Sequence, residues 1–150
     1  MDKLDILEID NNNISGLVQP NGQLTNLKQL NISNNNIIAR MDTLHKLFMN
    51  LPSIEVLKLN SNNLWGKLPA LTASSNQILP PFLNLKVLDI SDNFLFGKIR
   101  LDVILGEQLQ SANGVIEHID ISHNQFDELN FNNFPQINFD SLNYLNVSNN

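Results

Sequence analysis

With 150 residues and 42% hydrophobic side chains, the chain is long and apolar enough for one domain with a sizeable core. Its net charge of −6 and isoelectric point near 4.8 disfavour nucleic-acid backbones and anionic membrane surfaces as partners and suit a basic or weakly polar one. The absence of cysteine excludes a disulfide framework, a thiol nucleophile and a cysteine zinc site. The opening stretch MDKLDILEID is not a signal peptide, and no apolar run reaches the roughly 18 residues that span a membrane.

In chain order, the first predicted element is a short strand within Leu4, Leu7, Ile9, Asn12 and Ile14. The same five spaced positions return as Leu27, Leu30, Ile32, Asn35 and Ile37. DTLHKLFMNLP follows, where Leu44, Leu47, Phe48 and Leu51 fall at helical spacing. This predicts an outer helix capped by Asp42 or Thr43, stopped before Pro52, with His45 on its exposed face. Ile54, Leu57, Leu59, Asn62 and Leu64 form the third copy, and the proline-bearing LPALTASSNQILPPF after it predicts an extended crossing. Leu85, Leu88, Ile90, Asn93 and Leu95 form the fourth. Leu101, Ile104, Leu105 and Leu109 then predict a second helix ending at Asn113 and Gly114. The fifth copy is Ile116, Ile119, Ile121, Asn124 and Phe126, and a sixth, with Leu142, Leu145 and Val147, ends on Asn150. Trp65, Phe96, Phe131 and Phe134 stand in return segments and are expected to pack on the convex side, with Phe131, Phe134 and Phe139 filling the core beneath the fifth crossing.

Within each copy, alternation sends Leu7 and Ile9 to one side and Glu8 and Asp10 to the other. Such a strand buries its apolar side only when copies stack, about 4.8 Å apart, as a parallel sheet. The sharp turn after each strand leaves backbone groups that no ladder satisfies. A carboxamide, which donates and accepts at once, suits that position. Of 26 asparagines, Asn12, Asn35, Asn62, Asn93, Asn124 and Asn150 hold it and form an expected structural ladder.

The frame L-x-x-L-x-L-x-x-N-x-L, five times complete and a sixth time begun, resembles the leucine-rich repeat family over nearly the whole chain. Four residues after the ladder asparagine stand Gly16, Gly66 and Gly97, followed by Val18, Leu68 and Ile99, with Pro69 completing NNLWGKLP and Leu24 upstream of Leu27. These resemble the plant-type consensus L-x-x-L-x-L-x-x-N-x-L-x-G-x-I-P, from which Ala39 and Glu128 depart. The resemblance implies an α/β fold, a right-handed solenoid or horseshoe with a parallel concave sheet and irregular or short-helical convex segments. Residues 1–150 then comprise five repeats and a truncated sixth, uncapped at both ends, as expected of a piece of a longer protein. The plant-type pattern implies a receptor-like ectodomain at the cell surface.

Function then lies in the outward letters, because extended concave faces are what solenoids offer to partners. One column reads Glu8, Asn31, Lys58, Asp89, Asp120, Asn146; the next Asp10, Ser33, Asn60, Ser91, Ser122, Ser148; a third Asn11, Asn34, Ser61, Asp92, His123, Asn149; and one before the first ends in His118 and Tyr144. Partner contacts are expected from Glu8, Asp10, Asn31, Lys58, Asn60, Asp89, Asp92, His118, Asp120, His123, Tyr144 and Asn146. Asp89 beside Asp120 is a like-charge pair that a cation or a partner's basic residue would relieve. The spacing is not that of a metal site, and no metal or cofactor is expected. Asp120, Ser122 and His123 alternate faces and cannot assemble a triad, so no catalytic residue is assigned. A protein or peptide ligand is the favoured reading. The alternatives are an intracellular scaffold, or the targeting arm of a kinase or ubiquitin ligase. Three glycosylation sequons, at Asn13, Asn31 and Asn146, fit a secreted context.

Overall fold

A computed structural model of the chain describes residues 3–17, 22–68, 82–99, 114–129 and 140–150. Six three-residue strands, β1 (Ile6–Glu8), β2 (Gln29–Asn31), β4 (Val56–Lys58), β6 (Val87–Asp89), β8 (His118–Asp120) and β10 (Tyr144–Asn146), pair in parallel in that order. Their central residues share one rung line: Leu7 meets Leu30, Leu30 meets Leu57, Leu57 meets Leu88, Leu88 meets Ile119 and Ile119 meets Leu145. Because all strands share a direction and a register, each inward residue stacks on its counterpart, and one core runs from Leu27 to Phe126.

The ladder asparagines close each turn. Asn35 donates through Nδ2 to the carbonyls of Ile32 and Ser33 in its own copy and of Ile9 in the preceding one, at 3.0–3.1 Å, while its Oδ1 accepts the Ile14 amide at 3.0 Å. Asn62 and Asn124 repeat this pattern one and three copies later. Each carboxamide therefore ties its copy to the one before, and only the two terminal members, Asn12 and Asn150, are exposed.

Past the ladder the chain enters a second sheet that the alternation argument had not identified. β3 (Ile38–Arg40), β5 (Asn63–Gly66), β7 (Phe94–Ile99) and β9 (Gln125–Leu129) pair in parallel, with Ala39, Leu64, Leu95 and Phe126 turned toward the core. Gly66 and Gly97 carry positive φ angles of 98° and 85° here, and a Cβ on Gly66 would lie 3.2 Å from the Arg40 Cγ. Only glycine adopts that backbone without strain, which accounts for its place in the frame.

Two return-segment expectations change. The helix expected from Asp42 to Leu51 is a 3-10 turn over Met41–Thr43 followed by one short helix, α1 (His45–Met49), and neither has a side-chain cap. Asp42 instead pairs with Arg40 at 2.8 Å and the Thr43 hydroxyl donates to the Arg40 carbonyl, so both expected caps hold the preceding strand end. Trp65 and Phe96 do not pack on the core: they point outward from the second sheet and are 44% and 38% exposed. The second expected helix, most of the proline-rich crossing, and Phe131, Phe134 and Phe139 lie outside the described residues. Among the described residues no helix is long and apolar enough to cross a membrane.

Candidate functional site

The outward residues of the six-stranded sheet form a face whose geometry follows from strand length. Each strand runs for only three residues before the chain turns, so alternation holds across the strand and fails just after it. Glu8, Asn31, Lys58, Asp89, Asp120 and Asn146 do line up, in register, across all six strands. Gln29 donates to Glu8 at 2.5 Å at one end of this row, and His118 and Tyr144 stand one row away.

The column after it turns only partly beneath the face, leaving Asp10, Asn60 and Ser91 half-buried and Ser148 exposed. Ser33 and Ser122 are buried, and the Asn60 Oδ1 is enclosed without a hydrogen-bond donor. The serines turn under because the residue two before each one accepts from them. Asp89 Oδ1 takes the Ser91 hydroxyl at 2.6 Å and its amide at 3.1 Å, and Asp120 Oδ1 takes those of Ser122 at 2.6 and 3.0 Å. Asn31 with Ser33 and Asn146 with Ser148 make the same pair of bonds. These side chains thus serve the turn with one oxygen and face solvent with the rest. The same bonds show why no triad forms: the Ser122 hydroxyl already donates to Asp120, while the His123 ring meets the Asn149 carboxamide at 3.1 Å.

The third column, from Asn11 to Asn149, lies at the corner rather than on the face. Asn11, Asn34, Ser61, Asp92, His123 and Asn149 all have φ between 51° and 55°, the left-handed region. Asn, Asp and His are several-fold enriched there, so Asp92 and His123 have a backbone reason for their identity. That choice of short polar residues one place before each ladder asparagine was a signal available in the sequence.

What remains on the face concentrates at β6, β8 and β10. Asp89 and Asp120 are cross-strand partners, and the Asp89 Oδ2 has no partner among the described residues. Tyr144 Oη and Asn146 Nδ2 both donate to the Asp120 Oδ2 at 3.2 Å. The rings of His118 and Tyr144 stack at 4.1 Å with their planes 4° apart, forming a flat aromatic step beside the carboxylates. Lys58 faces Asp89 across the sheet without forming an ion pair. A further charged row was not anticipated: Glu55 lies between Lys86, at 2.8 Å, and Lys28, at 3.8 Å. The Lys86 hydrogen bond holds the Glu55 carboxyl below its usual pKa, and Glu55 raises that of Lys86.

Burial would raise the Asp120 pKa, but the bonds from the Ser122 hydroxyl and amide, then Asn146 and Tyr144, outweigh it and leave the group lowered. A lowered folded-state value means that the carboxylate stabilises the fold fully above the ordinary value of 3.8 and loses that contribution as pH falls through the lower folded one. Replacing Asp120 with Asn, which keeps the acceptor for Ser122 but removes the one that Tyr144 and Asn146 use, should therefore lower the neutral-pH midpoint and flatten the acid limb of a stability-versus-pH curve, the gap from wild type closing as pH falls through the lower folded value. An unchanged acid limb in urea titrations run at successive pH values would contradict this. Among the described residues, no group of three or more His, Asp or Glu is arranged to hold a metal ion.

The Leucine Rich Repeat family model matches residues 26–51 and 84–104. The chain is 33% identical over 86 residues to Receptor-like protein 39 of Arabidopsis thaliana, covering 55% of this chain and 10% of that protein. Among solved structures it resembles the ectodomain of the Arabidopsis receptor kinase HAESA in complex with an extended IDA peptide hormone ligand. That match has 28% identity and a TM-score of 0.66 and covers 97% of this chain and 21% of that one. A TDR receptor structure matches at 22% identity and a TM-score of 0.62, over 99% of this chain and 27% of the other, a likeness of fold. The chain thus spans about a tenth of the curated relative and about a fifth of the HAESA ectodomain chain.

Proposed function

Because the chain is a plant-type leucine-rich repeat protein, we propose that it is part of the ligand-recognition array of a receptor-like protein at the cell surface, binding a peptide or protein on the concave, six-stranded face. The observation that carries this reading is the Asp89–Asp120 pair: two carboxylates in register, each fixed by its turn, with the Asp89 Oδ2 unspent. Side chains held in this way lose little entropy when a ligand docks, and like charges side by side gain by receiving a cation. The His118–Tyr144 step beside them supplies a rigid aromatic surface of the kind enriched at binding sites. The likeness to an ectodomain that holds a peptide supports the ligand class, and the acidic row supports a basic side chain within it. Glu8, Asn31, Lys58 and Asn146 extend the contact along the row, whereas Asp10, Asn60, Asp92 and His123 contribute at its margin. Residues 1–150 are read as one continuous repeat array, and the match spans about a tenth of the curated relative.

The test uses substitutions that the column itself provides. Asn31 and Asn146 make the same serine contacts as the aspartates, so Asp89→Asn with Asp120→Asn removes charge and keeps the turn. Against synthetic peptides of basic, neutral and acidic composition, the chain should prefer the basic set. The double substitution should weaken that binding by at least about fivefold, on the order of 1 kcal/mol, at low salt. Equal affinity of wild type and variant for basic peptides, with folding intact, would remove the acidic row from the site.

A further inference from the structure

At the corner that borders the peptide face, where the turns around Asn35, Asn62 and Asn93 enter the second sheet, the chain forms a cavity of about 290 Å3. Its floor is made by ladder asparagines, whose polar atoms are spent on backbone groups, so the floor is stiff. Its walls differ. The Asn63 carboxamide, the Ser61 hydroxyl and the Asp92 carboxylate make no side-chain hydrogen bond among the described residues, and Asn36 spends only its Nδ2, on Asn13. One wall is the Phe94 ring, 49% exposed. Trp65 is its cross-strand partner, and the Arg40 guanidinium lies 5.7 Å from the Trp65 ring centre. The Phe94 ring, with Trp65 beside it on the next strand, thus borders a groove of unspent, mostly uncharged hydrogen-bonding groups.

We propose that this corner groove binds a neutral oligosaccharide. A sugar ring offers an apolar face of C–H groups and a rim of hydroxyls, each of which donates and accepts. Carboxamides match that rim because they also do both, and a carboxylate such as Asp92 can accept from two hydroxyls at once. The Phe94 ring supplies area for the C–H face, and its exposure is a cost that a ligand would remove. A phosphate or acidic ligand is disfavoured because the one formal charge in the groove is negative. A peptide added as a strand is disfavoured because β5 and β7 are paired on both sides and present no free backbone edge. The volume lies at the small end of ligand pockets, suited to a sugar unit or two rather than to a folded partner. The ladder beneath fixes the groove before binding, so little ordering cost is added.

Trp65 is the only tryptophan and the cross-strand neighbour of Phe94, so its emission reports on the edge of this site. The chain, produced without glycosylation, would be titrated to millimolar concentrations with cello-, xylo-, manno- and chito-oligosaccharides and with a neutral peptide. At least one saccharide should give a saturable change in Trp65 emission. Phe94→Ala, at an exposed position, and Asn63→Ala, at a half-buried one, should each weaken binding by about tenfold, with circular dichroism confirming the fold. Asp89→Asn, on the peptide face, should leave it unchanged. No saturable response to any of the four saccharides would overturn the assignment. So would a response to the peptide alone, or a saccharide response that survives both groove substitutions.

Discussion

Replacing Asn93 with Leu should cost about 3 kcal/mol of folding stability, seen as a lower urea midpoint. The two side chains are similar in size, so the effect is polar. Asn93 donates to the carbonyls of Leu59, Ile90 and Ser91 at 3.2, 3.2 and 2.9 Å, and its Oδ1 accepts the Leu64 amide at 3.0 Å. The site is 94% shielded from solvent, since Asn93 is 6% exposed, so water cannot replace the lost partners. An orphaned buried amide or carbonyl costs roughly 1–3 kcal/mol, and the substitution orphans groups in two adjacent copies. Asn12→Leu provides the control. Asn12 makes two of the same donations, to the Ile9 and Asp10 carbonyls, but it is exposed, and water fills in when it is removed. That change should cost under about 1 kcal/mol. Equal losses at the two positions would mean that burial, and hence the ladder, is not what makes Asn93 matter.

The contrast also shows which features could be read from the letters. The rungs and the ladder were legible because Leu57, Leu59 and Asn62 hold fixed offsets that recur, and a recurring offset points to the same environment each time. The second sheet was legible in principle, since Leu64, Gly66 and Leu68 alternate with Asn63, Trp65 and Lys67. Its outward side mixes Asn63 and Gln125 with Trp65 and Phe94, so aromatic residues interrupted the polar half of the pattern. The serines were misplaced because period-two alternation was carried past a strand that ends at its third residue, where the left-handed residue before the ladder asparagine redirects the chain. Of the candidate site, the row of outward residues within strands was legible. The division of each aspartate between turn and solvent was not, because it depends on a hydroxyl two residues on. The groove at the corner depends on the second sheet and was unreadable without it.

Leu57→Ala should cost about 3 kcal/mol, while Leu145→Ala should cost under about 1 kcal/mol, although both occupy the same position of the frame. Leu57 is 1% exposed and lies between Leu30 and Leu88, so truncation leaves a cavity closed on both sides by neighbouring rungs. Leu145 is 41% exposed and, among the described residues, has Ile119 as its one rung neighbour, so truncation there uncovers surface already partly in water. In a stack, each copy is held by its neighbours, and a weakened central contact divides the array into two shorter ones. Trp65 lies one turn after Leu57 and reports on that division. In the Leu57 variant its fluorescence should change at a lower urea concentration than the circular dichroism of the whole chain, whereas in wild type the two transitions should coincide. Coincident transitions in the variant would mean that the described copies unfold as one unit, and that stability is shared beyond nearest neighbours.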